Sequence, residues 1–419
     1  MKQLKRNIIL GVMAVNIFLA GMLFGTQLSM SQAQEQAQIT LPPEAQAAFE
    51  PLFQAYNMID SQYVSDVEID VLVDGAIRGM VEALDDPYSN YVDPEFFPFV
   101  NNDLSGEIEG IGVVITETED GNEIEIVNVL EGTPAEAAGL QPGDVFVIVN
   151  GENVYGLTYL ELAARVRGRA GTTVNITMRR GQELIDFVVE RARIEIPNVE
   201  YEILEGDIGY ISMAQFSSLS RQQVDEALAA IHIDTLNGLI FDLRGNPGGY
   251  LSAAVQIGGL FLEEGTLLIE DFGDGTTEEF IIRDQQVFQV DQNGNETLYM
   301  SDVTPLNVDI PIVVLVDEFS ASASELVAGA WQDNGVVTLI GNTTFGKGTV
   351  QTQSQLINGG GIRLTIARWL TPNGNWISEQ GITPDILVTL PDNYDIEQYG
   401  DIQLKAALEY LMQETVEME

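Results

Sequence analysis

The spacing of hydrophobic positions changes several times along the chain, and each rhythm predicts a different kind of element. Ile8 to about Leu28 is apolar on all sides, and a polar Gln/Ala/Ser stretch follows. Between Pro42 and Leu84, residues such as Phe49, Leu52, Phe53, Tyr56 and Ile59 recur at three- and four-residue spacing, which predicts helices with one buried face. Asp86-Pro87-Tyr88-Ser89-Asn90-Tyr91 breaks that rhythm with turn chemistry and reads as packing or subunit contact, not as a site. Short apolar runs then predict strands at 111–116, 123–129, 145–150, 174–179 and 184–189, interrupted by one helix at 157–167. From about Pro197 to Pro391 the rhythm alternates: strand 239–243, helix 250–261, strand 312–316, helix 322–332, strand 336–340. That alternation predicts βαβ units. The polar stretch 272–300, with turns at Gly273-Asp274-Gly275 and Asn293-Gly294, reads as an excursion of surface hairpins, and a helix is expected from Asp395 onward.

Charge gives the first segment a meaning. Lys2, Lys5 and Arg6 precede its apolar run, the order of an export signal or an uncleaved membrane anchor over residues 1–33, with everything after it outside the cytoplasm. The remaining divisions fall at 34–104 (linker and helical region), 105–193, 194–392 and 393–419. With 64 acidic against 18 basic residues the net charge is −46, which excludes nucleic acid as a natural partner and reads most simply as an acidic, solvated surface. Cysteine is absent and His232 is the single histidine, outside any motif. Thiol nucleophiles and thiolate metal sites are therefore excluded, and a hydrolytic base would have to be Lys, Asp or Glu. Asp291, Asn293 and Asn295 do not match a calcium loop, because Gly294 comes too early. No metal or cofactor is expected.

Lysine is the informative residue. Three of the four lie near the ends of the chain, Lys2, Lys5 and Lys405, and the fourth is Lys347 in Phe345-Gly346-Lys347-Gly348-Thr349-Val350-Gln351. A buried lysine can lose its proton near neutral pH, whereas arginine cannot. Apolar Phe345 and Val350 are expected to keep it dry. Twenty-five residues earlier, Ser322 stands in Ser320-Ala321-Ser322-Ala323-Ser324-Glu325 at a predicted helix start, where free N–H groups and the helix dipole favour an oxyanion. Taken singly, each serine there is an ordinary N-cap candidate. The spacing allows one helix and a return strand, bringing serine and lysine to the same end of a parallel sheet, and Ser with neutral Lys is a known hydrolytic pair.

Two resemblances extend this reading. The strand pattern, Gly110-Ile111-Gly112-Val113 and Gly132 through Asp144 (Gly-Thr-Pro-Ala-Glu-Ala-Ala-Gly-Leu-Gln-Pro-Gly-Asp) resemble a PDZ domain of the bacterial protease type. That resemblance implies that residues 110–113 take a peptide as an added strand and hold its terminal carboxylate. Together with Phe241 through Gly249 (Phe-Asp-Leu-Arg-Gly-Asn-Pro-Gly-Gly), Ser320–Glu325 and the Lys347 loop, it makes nearly the whole chain after the leader resemble the carboxyl-terminal processing proteases. The family implies an α+β multidomain fold: a crotonase/Clp-protease-like α/β peptidase core, an inserted β-rich PDZ domain and an N-terminal helical segment. It implies Ser322 as nucleophile, Lys347 as general base, Gln351 as the side chain orienting the lysine, and the backbone N–H groups of Gly249 and Ala323 as the oxyanion hole. Asp242 and Arg244 read as a structural ion pair, and Ser320 and Ser324 as helix-start and packing residues. Substrates would be proteins or peptides with nonpolar C-termini, cleaved outside the cytoplasm for processing or quality control. The helical region is the candidate for self-association. The alternative is a proteolytically inactive PDZ-based peptide-binding or chaperone protein.

Overall fold

The computed structural model describes residues 42–97, 105–118, 121–391 and 400–418. The expected leader, and the start of the expected terminal helix at 392–399, lie outside them. Among the described residues no helix is long and apolar enough to cross a membrane.

The chain divides into two compact units, residues 1–76 and 77–419. The first contains helix α1 (Pro43–Gln62), started by a proline whose missing N–H would be unsatisfied there anyway. Its periodic stripe forms, but no residue of α1 is buried, so the expected buried face is corrected: Phe53 is 62% exposed. Spacing specifies a helix, and only a covering element buries its stripe. Helix α2 (Ile69–Glu82) crosses the division and buries Val81.

In the second unit, strand β1 (Asn90–Val92) precedes an inserted β-rich domain. The chain enters that domain along β2 (Glu107–Gly110) and leaves along β9 (Ala192–Glu195), and these two strands pair antiparallel, as an insertion with adjacent ends requires. Between them lie β3 (Val113–Glu117), β4 (Ile124–Val129), α3 (Pro134–Ala138), β5 (Val145–Val149), β6 (Glu152–Asn153), α4 (Tyr159–Val166), β7 (Thr173–Arg180) and β8 (Glu183–Glu190). They enclose their own core, which includes Ile126, Phe146, Leu162 and Met178. Helix α4 begins at Thr158, whose N–H and hydroxyl both donate to Glu161.

The larger domain follows with β10 (Val199–Leu204), β11 (Ile208–Met213), α5 (Ser220–Ala230), β12 (Gly238–Asp242), α6 (Leu251–Gly258) and the strands β13 (Gly265–Asp271), β14 (Thr277–Arg283), β15 (Gln286–Asp291) and β16 (Glu296–Met300). Then come β17 (Ile312–Val316), α7 (Ala323–Asp333), β18 (Thr338–Gly341), β19 (Thr349–Gln355), β20 (Gly361–Leu370), β21 (Ile386–Leu387) and α8 (Ile402–Met418). One sheet runs β10-β11-β12-β17-β18-β21, parallel from β11 onward. Its central strands β12 and β17 are apolar on both faces because both are covered, whereas the edge strand β10 is mostly exposed. Leu239, Phe241, Val314 and Val316 face the main core with residues of α5, α6 and α7, while Ile240, Val313 and Leu315 face Ala407 and Leu411 of α8. Each such fully buried side chain contributes about 2 kcal/mol. The second sheet has the order β1-β20-β13-β14-β15-β16, with β19 also on β20. It corrects the expectation of a surface excursion at 272–300, since Phe280, Ile282 and Val287 belong to the main core.

Candidate active site

Three loops leave the C-terminal ends of β12, β17 and β18, where ligands collect in parallel α/β sheets. Hydrogen bonds lock the first two together. Ser320 Oγ donates to Leu243 O (2.8 Å), Ser324 Oγ to Asn246 O (2.8 Å), and Ala321 N–H also donates to Asn246 O (3.0 Å). Asn246 in turn donates from Nδ2 to Met213 O (2.7 Å) and accepts from Gly248 N–H (2.9 Å). Ser320 and Ser324 are buried and serve packing, as expected.

The loops meet where side chains would not fit. A Cβ on Gly248 would lie 2.6 Å from Ala321 O, and one on Gly249 would lie 2.1 Å from Phe216 O. Phe216 N–H donates to Gly248 O and Tyr250 N–H to Phe216 O, so the Gly249 N–H stays outside this ladder. Ser322 sits at φ +56°, ψ −112°, a strained backbone for a residue with a Cβ, immediately before α7. The adjoining Ala323 N–H is the first of the helix, one of the groups that α-helical geometry leaves without an internal partner. A cleft of about 80 Å³ opens here, lined by Gly249, Leu251, Ser322, Leu326, Val350 and Trp369 among others.

Lys347 stands on the third loop, its carbonyl accepting from Trp369 Nε1 (3.0 Å) and its N–H donating to Glu325 Oε2 (2.9 Å). Its Nζ lies over the ring of Tyr88, 5.0 Å from the centroid. Burial pushes the ammonium down to about 8, helped by the positive charge of Arg363 and opposed by Glu325 and Asp86. Gln351 lies on β19, where Nε2 donates to Thr349 Oγ1 (2.9 Å) and Thr365 Oγ1 (3.3 Å), and Oε1 accepts from Arg363 (3.4 Å).

Two residues here were not expected from the pattern. Tyr88 belongs to the turn segment read as mere packing. Ser89 Oγ donates to Asp86 (2.5 Å) and accepts from Thr365 N–H (3.0 Å), while β1 pairs with β20, and together these lay the ring on the lysine. Phe345, expected to dry the lysine, is 54% exposed, so that expectation is corrected. The second residue is Glu325, fully buried and bonded to both the serine and lysine loops. Its position three residues after Ser322 is a capping-box signal legible in the sequence, but its reach to the lysine loop is not.

In the inserted domain, Gly110, Ile111, Gly112 and Val113 line a cleft of about 240 Å³ with Phe146 and Leu162. His232 is exposed in a turn and joins neither cleft.

Residues 207–388 match Peptidase family S41, residues 125–180 match the PDZ domain, and residues 10–96 match the activating protease CtpB N-terminal domain. The chain is 38% identical to the carboxy-terminal processing protease CtpA of Bacillus subtilis over 345 residues, covering 82% of this chain and 70% of that protein. It is 34% identical to the carboxy-terminal processing protease CtpB of the same organism over 414 residues, covering 95% of this chain and 81% of that one. A probable CtpA-like serine protease of Staphylococcus aureus is 34% identical over 346 residues, covering 83% and 66% respectively.

Proposed function

Since this chain belongs to the carboxy-terminal processing proteases of Peptidase family S41, serine peptidases with a PDZ domain, we propose that Ser322 and Lys347 are its catalytic pair and that it cuts proteins near a nonpolar C-terminal tail. The observation that carries this reading is the state of Lys347: largely buried, under an aromatic ring, and depressed to about 8 in a loop bonded to the residue that also holds the Ser322 N–H. A lysine in that condition supplies a neutral amine close to physiological pH.

In the proposed reaction, Ser322 Oγ attacks the scissile carbonyl carbon while its proton passes to Lys347 Nζ. Negative charge develops on the carbonyl oxygen, facing the N–H groups of Gly249 and Ala323. Collapse breaks the C–N bond, and the lysine ammonium returns the proton to the departing amine. Water then attacks the acyl-enzyme with Lys347 again as base, releasing the new carboxylate and Ser322. Gln351 orients the lysine amine. Gly110 through Val113 hold the substrate tail as an added strand, their backbone donors allowing so acidic a protein to bind an anionic chain end. The basic-then-apolar leader implies that this proteolysis takes place outside the cytoplasm.

Ser322→Ala tests the assignment. Cleavage of an unfolded protein with an apolar tail is expected to vanish while tail binding persists, and wild-type cleavage by this variant would refute the nucleophile.

A further inference from the structure

We propose that Glu325 is the positioning residue of this site, holding the nucleophile and the base in register by binding the backbone N–H groups of both on a single carboxylate oxygen. The proposal rests on the Ser322–Lys347 reading. Glu325 Oε2 accepts from Ser322 N–H (2.9 Å) and from Lys347 N–H (2.9 Å). Oε1 accepts from Gly346 N–H (2.6 Å) and Thr344 Oγ1 (2.6 Å). A glutamate at the third position of a helix ordinarily caps one N–H, and the Ser322 bond is that cap. The other three bonds go to Thr344, Gly346 and Lys347, on a loop that α7 and β18 separate from Ser322. They have no role in starting the helix.

All four partners are donors. The hydroxyl of Thr344 already accepts from Ile382 N–H (2.7 Å), so its own proton is the one directed at Glu325. An ionised carboxylate is the side-chain group that accepts at both oxygens and donates at neither. A carboxamide of the same shape would turn an NH2 toward two donors. Burial pushes the Glu325 carboxyl up, and the bonds from Thr344, Lys347, Gly346 and Ser322 counter it.

The arrangement has a second consequence for the base. The groups bearing on Lys347 are Tyr88 and Asp86 from the N-terminal segment, Glu325 from α7 and Arg363 from β20, while Glu379 bears on Tyr88. Glu325 is the buried anion among them and favours the ammonium. Neutralising it makes Lys347 easier to deprotonate even as it loosens the register, so rate and pH dependence move in separable ways.

The test uses the full chain, with Glu325→Gln, Glu325→Asp and Ser322→Ala compared against wild type on an apolar-tailed protein. In Glu325→Gln, kcat should fall about 100-fold, the scale of an ångström misplacement, with KM little changed. The acid limb of its kcat/KM profile should move to lower pH. Glu325→Asp keeps the charge and loses the reach, so kcat falls while the limb stays. An unchanged kcat in either variant, or an unmoved limb in Glu325→Gln, overturns the proposal. Should Glu325→Gln not fold by circular dichroism, Glu325→Asp decides alone, a wild-type kcat overturning it. An inactive Ser322→Ala beside unimpaired Glu325 variants sinks only this inference, whereas an active Ser322→Ala sinks the dyad beneath it.

Discussion

Arg244 and Lys347 are both largely buried cations on loops at the C-terminal end of the same parallel sheet, and their surroundings drive them in opposite directions. Burial alone would lower each one. At Arg244 it is outweighed by carboxylates aimed at the guanidinium: Nη2 lies 2.6 Å from Asp242 Oδ2 and 2.8 Å from Asp401 Oδ2, and the net shift is upward. At Lys347 carboxylates are also near, but their oxygens are engaged elsewhere. Glu325 is filled by four donors, and Asp86 accepts from Tyr88 N–H and Ser89 Oγ. Burial is therefore left as the leading effect. Proximity of opposite charge does not by itself make an ion pair; the direction of the acceptor's bonds decides whether a buried cation is a brace or a base.

The comparison breaks most sharply if the lysine's charge alone matters. Lys347→Arg keeps the cation and removes the ability to lose a proton, so kcat/KM should drop by about 10³-fold or more, nearly as far as in Lys347→Ala, with an unchanged circular dichroism spectrum. Substantial activity in the Arg variant would end the general-base role. The next effect is on stability. Arg244→Ala leaves buried Asp242 and half-buried Asp401 without their counter-charge and removes the link between the β12 loop and the start of α8, costing about 3–5 kcal/mol in urea unfolding. A loss within error would mean that solvent already screens this pair.

What the sequence disclosed divides along the same line. The strand at Ile312–Val316 was legible because it is an apolar run buried on both faces between turn signals, and the serine and lysine loops were legible from residue type and spacing. The Asp242–Arg244 pair was also readable, being two residues apart; its Asp401 member, which comes from α8's approach, was not. The hairpins at 277–291 were legible but their burial was not, because Phe280-Ile281-Ile282 and Val287-Phe288 are short apolar runs set among acidic and polar residues, and the polarity of the whole stretch hid that one face joins the core. Tyr88 was beyond reach because its position depends on β1 pairing with β20, a register set by tertiary structure. Phe345 took its place in the expectation because it is adjacent in sequence.

The smallest expected effect sharpens the comparison furthest, because two forces act on Lys347 through Tyr88 with opposite sign. The ring's face attracts an ammonium, which raises its pKa, while its bulk excludes water, which lowers it. Burial is the leading cause of the depression to about 8, so exclusion of water should win. Tyr88→Ala then rehydrates the amine, the Lys347 pKa rises, and the acid limb of kcat/KM moves to higher pH. Activity at neutral pH should fall by about tenfold for each unit of that displacement, and the deficit should close on the alkaline side, where the lysine is neutral in both proteins. Tyr88→Phe keeps the ring and should leave the limb where it is. A limb that moved to lower pH in Tyr88→Ala would show that the ring holds the cation more than it dries the amine, and Lys347 would then be a held cation like Arg244, although the carboxylates near it are engaged elsewhere.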